Sequence, residues 1–245
     1  WFRIGTTGTL DQTQAHRLSI EGILGPAVQF IQTKSLMNKG LLATLAVDCI
    51  VLKYTDQEKQ DMKKQKYPDE IKTIISNSRR NEFVKELAIH TKGNTLILFN
   101  YVEGHGKPLH ALIEAAGTDK KVYLIHGKTE GEARESIRRI VDTQTNAILV
   151  ASYGTTSTGI NIVNIDNIIL ASPTKSIIRL LQSIGRGLRV SAKKKTLKVY
   201  DIVDDLCYKS YKNHVYRHFE ERIKIYKKEK FDYRIMAMPL PSDDK

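Results

Sequence analysis

The sequence predicts an α/β fold, a parallel sheet with helices on both faces. Short apolar runs recur at Thr95–Phe99, Val122–Ile125, Ala147–Ala151, Ile168–Ala171 and Leu197–Val203. Such runs, apolar without strict alternation, suit strands buried on both sides. Stretches with helical patterning lie between them, so strand and helix alternate as in βαβ units. No apolar run approaches the roughly 20 residues of a membrane span, which excludes a helical membrane protein.

Composition narrows the class. The chain has 245 residues, 41% hydrophobic and 27% charged, ordinary values for a domain with a sizeable core. It can hold one large or two small domains. Cys49 and Cys207 are far apart and have no metal-ligand spacing, which points to a reducing, cytoplasmic compartment. The first residue is Trp1 and no secretory leader is visible, so the chain reads as a fragment or processed product. Net charge is +12, and Arg186–Lys230 holds 14 Lys and Arg against 6 Asp and Glu. Clustered positive charge favours a polyanion, nucleic acid first; a merely soluble basic face is the alternative.

In chain order, Trp1–Asp11 reads as a strand end running into a Gly/Thr loop, where Thr7 and Thr9 either relay hydrogen bonds or simply make a turn. Gln12–Leu24 suits a helix with Asp11 as N-cap, broken by Gly25-Pro26. Ala27–Ile31 suits a strand, Thr33–Lys39 a short helix and Val47–Leu52 a strand. Asp56–Lys66 is charged, an exposed helix or loop, and Tyr67-Pro68 punctuates it. Glu70–Ile75 and Ser78–Thr91 read as helices, with His90 at a surface or boundary position. Asn100–Lys107 reads as a loop, Pro108–Ala116 and Glu130–Asp142 as helices, and Ser176–Gly185 as another. After Asp204 one long basic helix to about Lys230 is expected, then a frayed end from Pro239. Its tyrosines and Phe219 alternate with cations, a pattern that suits base stacking or packing against the domain itself.

Ligands of parallel sheets bind beyond the carboxyl ends of strands, so the loops after Phe99, Ala151 and Ala171 are the places to look. Ala151–Asn161 is the most polar of them: six of its eleven residues are Ser, Thr or Tyr and two are Gly. Hydroxyls and exposed amides suit a phosphate, though a plain polar loop has the same composition. Farther on comes Gln182-Ser183-Ile184-Gly185-Arg186-Gly187-Leu188-Arg189. On a helix Gln182, Arg186 and Arg189 share one face. Two glycines beside two arginines allow close approach of a second surface, and guanidinium groups bind phosphate in bidentate fashion. Arginines near a helix C-terminus with Gly187 as C-cap are the structural alternative.

The chain has no GxxxxGK[ST] loop, no acidic strand end placed for Mg²⁺, no metal-ligand cluster and no nucleophile triad. Taken alone it should bind ATP poorly and hydrolyse it hardly at all.

Three blocks, in order and spacing, resemble the second RecA-like domain of a superfamily 2 helicase. Thr7-Gly8-Thr9-Leu10 resembles the Thr-Ala-Thr block that ends the first motor domain. Ser152–Asn161 resembles the fifth helicase motif and Gln182–Arg189 the sixth, with Phe99–Tyr101 where the fourth would lie. The match covers most of the chain and is weakest between Asp11 and Lys92. It implies that residues 1–11 end a first motor domain, 12–203 form the RecA-like domain, and 204–245 are a basic helical extension and tail. It implies ATP with Mg²⁺ as cofactor, the metal being held by the first motor domain, which is missing here. Arg186 and Arg189 would be arginine fingers and Gln182 would touch nucleotide or water. Gly159, Asn161 and Gly185 would lie at the nucleotide. Ser152, Thr155, Thr158 and Asn100 would face nucleic acid, branched or single-stranded DNA, while Thr7 and Thr9 couple the two sites. Ser183 stands where the sixth motif often has Arg, and Asn161 where the fifth often has Asp. A non-catalytic nucleic-acid-binding or annealing module, an RNA helicase and a restriction translocase are the other readings open at this stage.

Overall fold

The computed structural model describes residues 3–5, 14–28, 33–39, 41, 44–158, 164–174 and 196–240. It contains, in order, α1 (Gln14–Leu24), α2 (Thr33–Asn38), β1 (Thr44–Lys53), α3 (Asp56–Met62), α4 (Tyr67–Ser76), α5 (Ser78–His90) and β2 (Thr95–Phe99). A π-helical turn, Val102–Gly106, leads into α6 (Lys107–Ala115), followed by β3 (Lys121–Ile125), α7 (Gly131–Thr143), β4 (Ala147–Ser152) and α8 (Tyr153–Thr158). Last come β5 (Asn167–Leu170), β6 (Thr196–Asp205), α9 (His214–Lys228) and β7 (Asp232–Pro239).

The strands form one seven-stranded sheet, order β3-β4-β2-β5-β6-β1-β7, and every pairing is parallel. Helices cover both faces, as the apolar runs predict. Alternate strand residues feed two cores. Val47, Cys49, Leu98, Leu149 and Val199 pack against α7 and α9 through Val141, Phe219 and Tyr226. Leu52, Ile97, Phe99, Ile148 and Ile202 pack under α3–α6 through Met62, Ile74, Val84, Leu109 and Ile113.

Local chemistry sets several boundaries. Thr55 and Glu58 form a reciprocal capping box at α3. Pro68 sits in the first turn of α4, where its missing N–H costs nothing. Glu70 of α4, fully buried, accepts from the backbone N–H groups of His214 and Val215 at 2.9 and 2.8 Å. A carboxylate at those orphan donors satisfies the start of α9 and pins it to α4.

Four expectations need correction. Asn100–Lys107 is not a plain loop but holds the π-helical turn, whose His105 and Gly106 N–H groups both reach Tyr101 O. Gly106 is required there: a Cβ would lie 2.3 Å from the Phe99 ring. The polar stretch after Ala151 is helical at its start, because the Ser152 hydroxyl accepts the Thr155 N–H and caps α8. No single helix runs from Asp204 to Lys230. Strand β6 continues to Asp205, a Tyr208–Tyr211 bridge follows, and α9 begins only at His214. It ends in a Schellman turn with Lys230 at φ 56° and Phe231 N–H on Tyr226 O. That turn sends the chain into β7, an element the sequence reading did not place; Pro239, expected to begin a frayed end, is its last residue, and 241–245 lie outside the described residues. Residues 27 and 28 carry no strand, and 29–31 lie outside the described residues. The expected helix 176–185 and the Gly/Thr loop 6–10 also lie outside them.

Candidate functional site at the carboxyl edge

Because every strand is parallel, all their carboxyl ends share one edge. Strands β4, β2 and β5 are neighbours there, which brings together the three loops singled out in the sequence. Asn100 is half-buried just beyond β2. Its backbone N–H donates to Ser172 Oγ at 3.1 Å and its side-chain amide to Pro173 O at 3.1 Å. Ser152 and Thr155 are buried, with hydroxyl oxygens 2.6 Å apart. Thr158 closes α8, and only its backbone is described. Gln182, Gly185, Arg186, Arg189, Gly159, Asn161, Thr7 and Thr9 lie outside the described residues.

The segment beyond β5, Ala171–Thr174, is buried and held from several directions. Tyr153 OH donates to Ser172 O at 3.3 Å. Arg80 of α5 donates to Ala171 O at 2.8 Å, and Arg222 of α9 to Thr174 O at 3.3 Å. Each arginine also grips an acid of β6 on its own face of the sheet. Arg80 meets Asp204 through Nε and Nη2 at 2.7 and 3.1 Å; Arg222 meets Asp201 through Nε and Nη2 at 2.8 and 2.9 Å. Tyr54 and Tyr226 add hydroxyl donors to Asp204 and Asp201, both at 2.9 Å. Burial opposes charge on both guanidinium groups, but the facing aspartates outweigh it and raise both pKa values. Both guanidinium groups therefore stay charged inside the fold, each in a bidentate, hydrogen-bonded pair.

A neutral chain of hydrogen bonds completes the segment. His105, fully buried, places Nδ1 2.7 Å from Ser172 Oγ and Nε2 3.1 Å from Asn81 Oδ1. Asn81 Nδ2 donates to Ile75 O at 2.9 Å, which turns Oδ1 toward the histidine. An amide oxygen only accepts, so Nε2 carries the proton and Ser172 donates to Nδ1. Burial first, and the Arg80 charge second, push the His105 pKa down to about 3 and keep the ring neutral.

Sequence reasoning missed Arg80, Arg222, His105, Asn81 and Ser172. The acids of β6 were the available signal. Asp201 and Asp204 lie inside the apolar run Leu197–Leu206, and a carboxylate there demands a cationic or donor partner. The aromatics after Asp204 divide. Phe219 and Tyr226 are core residues, whereas Tyr208 and Tyr211 are half-buried, with Lys63 and Lys209 near the first ring and Arg217 near the second. His90 is exposed, as its position predicts.

Comparison with known proteins decides the family. Residues 78–191 match the model of the helicase conserved C-terminal domain. The ATP-dependent DNA helicase uvsW of Enterobacteria phage T4 is 32% identical over 98% of this chain and 50% of its own length. This chain carries a superfamily 2 helicase C-terminal domain. The crystal structure of T4 UvsW superposes with a TM-score of 0.70 at 33% identity, covering 82% of this chain and 42% of that one. Dbp5 of S. cerevisiae bound to RNA and ADP BeF3 gives a TM-score of 0.55 at 14% identity, over 97% of this chain and 51% of that chain, a likeness of fold alone. The chain spans about half the length of the phage helicase. The helicase fold is thus the RecA-like parallel sheet expected from the motif blocks. Among the described residues no helix is long and apolar enough to cross a membrane.

Proposed function

We propose that this chain is the C-terminal half of an ATP-dependent DNA helicase or translocase, working with an N-terminal RecA-like domain of the same protein. The observation that carries the reading is alignment with a DNA helicase over 98% of the chain. The carboxyl-edge geometry supports it: the segments that carry helicase-like blocks after β2 and β4 meet the exit of β5, where parallel sheets place ligands.

In this reading residues 1–11 end the first motor domain, 12–203 form the second, and 204–245 add its basic extension. Arg186 and Arg189 reach across the cleft to ATP, Gln182 touches nucleotide or water, and Gly159, Asn161 and Gly185 line the nucleotide. ATP with Mg²⁺ supplies the phosphoryl group whose transfer drives the cycle. No three His, Cys, Asp or Glu side chains cluster to hold a metal among the described residues, and Asp201 and Asp204 are taken by arginines. The donor set therefore does not fit a Mg²⁺ site on the described part of this half, and the reading assigns the metal to the first motor domain. Asn100, Ser152, Thr155 and Thr158 belong to the loops that grip DNA, with Ser152 also capping α8. Thr7 and Thr9 couple the grip to ATP state. Branched or single-stranded DNA is the substrate, for unwinding or branch migration during recombination and repair, in the cytoplasm, which is a host cell's if the protein is phage-encoded.

The test is Arg186→Ala in the full-length protein. DNA-stimulated ATP turnover should fall about 10³-fold or more while DNA affinity stays within a few-fold. Near-normal turnover rejects the arginine-finger role of Arg186. Binding of branched DNA, single-stranded DNA and RNA at one fixed salt concentration separates a DNA helicase from an RNA motor.

A further inference from the structure

The helicase motifs leave unused a buried chain of side chains behind the loops. It starts at Asn100, the first residue after β2, whose N–H donates to Ser172 Oγ at 3.1 Å. Ser172 then donates to His105 Nδ1 at 2.7 Å, and His105 Nε2–H to Asn81 Oδ1 at 3.1 Å. Every bond has one permitted direction, because the amide oxygen at the far end only accepts. The Ser172 carbonyl also takes the Tyr153 hydroxyl, so one residue joins the loops after β2, β4 and β5. Arg80 and Arg222 hold the two ends of the same four residues, from opposite faces of the sheet.

This arrangement does more than fill space. An apolar side chain at Ser172 would lose the hydroxyl's bonds to the Asn100 N–H and to His105, while its carbonyl would still take the Tyr153 hydroxyl. Ser172 lies between Asn100, at the loops assigned to DNA, and the chain that continues past Thr174 toward Gln182–Arg189. We propose that Asn81, His105 and Ser172 are positioning residues that couple DNA contact to the ATP-facing block, with Ala171–Thr174 as the rigid joint. When DNA shifts the Asn100 loop, its N–H moves with the Ser172 hydroxyl, and the exit of β5 follows. The proposal rests on the helicase reading above.

Ser172→Ala, Ser172→Thr and Asn81→Ala in the full-length protein test it, with single-stranded DNA as the stimulating probe. In Ser172→Ala basal ATPase and DNA affinity should stay within about twofold, while stimulation by DNA falls about tenfold, within the usual range of coupling between sites. Asn81→Ala opens the chain from its far end and should lower stimulation less, and Ser172→Thr, which keeps the hydroxyl, should restore it. Full stimulation in both alanine variants, with only a lower melting temperature, overturns the proposal. If Ser172→Ala does not fold, Asn81→Ala alone decides by the same criterion. The two readings fail separately: no DNA-stimulated ATP turnover in the unsubstituted full-length protein sinks the helicase reading, whereas normal stimulation there and in Ser172→Ala and Asn81→Ala alike sinks only the coupling.

Discussion

The two edges of the sheet are both tied by buried polar side chains, in opposite ways. At the amino edge the ties centre on one residue. Asn94, fully buried before β2, donates to the carbonyls of Gln144 and Asn164 at 2.7 and 2.8 Å and accepts the Ala147 N–H at 2.8 Å. Its backbone N–H meets Asp166 Oδ2 at 2.8 Å. One neutral amide thus satisfies main-chain groups of two connections, α7–β4 and α8–β5, at little desolvation cost. The carboxyl edge instead buries two arginine–aspartate pairs and a histidine. Ion pairs in an interior are often no more stable than apolar residues of the same shape. Stability alone therefore accounts for the first edge and not for the second, where the charged groups fix the position of Ala171–Thr174.

The largest effect that sharpens this contrast is at Arg222. Arg222→Met leaves Asp201 buried without its cation and should cost about 3–5 kcal/mol in urea denaturation. The double variant Arg222→Met, Asp201→Leu should recover most of that loss and still lack DNA stimulation. Full stimulation in the double variant would reduce the pair to a packing device. Asn94→Ala should cost about 1–3 kcal/mol through its orphaned partners, with stimulation by DNA unchanged. A loss of stimulation there would erase the distinction between the edges. The smallest effect is in pH. His105 has a folded pKa of about 3 against an ordinary 6.5, so the unfolded chain takes up the proton first. Its contribution is complete above pH 6.5 and is lost as pH falls from 6.5 toward 3, by at most about 1.4 kcal/mol per pH unit. His105→Asn should flatten the stability profile between pH 6.5 and about 5.5, below the ordinary histidine value and above most of the range where carboxylates titrate; an unchanged slope would show that the ring is not held neutral.

Much of the framework was legible in sequence because apolar runs report burial directly. TLILF and AILVA became β2 and β4, and the helix pattern of Ser78–Thr91 became α5. Strand β7 was not legible. Most of its residues are exposed, and nothing local marks it apart from its β1 partner, which is more than 170 residues away. Helix α8 was hidden by six hydroxyl-rich residues whose local signal is that of a loop; the cap from Ser152 explains its start. The candidate site divides in the same way. Loops after β2, β4 and β5 followed from the parallel sheet alone. Arg80 and Arg222 did not, since charged helix residues read as surface. The acids they bind stand 124 and 21 positions away.

The position of β1 also bears on how the chain acquires its shape. Its hydrogen-bonded neighbours, β6 and β7, both come from the last fifth of the sequence. On a ribosome adding about 5–20 residues per second, Val47–Leu52 would emerge about 7–30 seconds before β6 exists. A nascent strand that apolar is adhesive, and its wait is fixed by topology rather than by local propensity. Biogenesis of this domain therefore depends on shielding one early segment until the last two strands arrive.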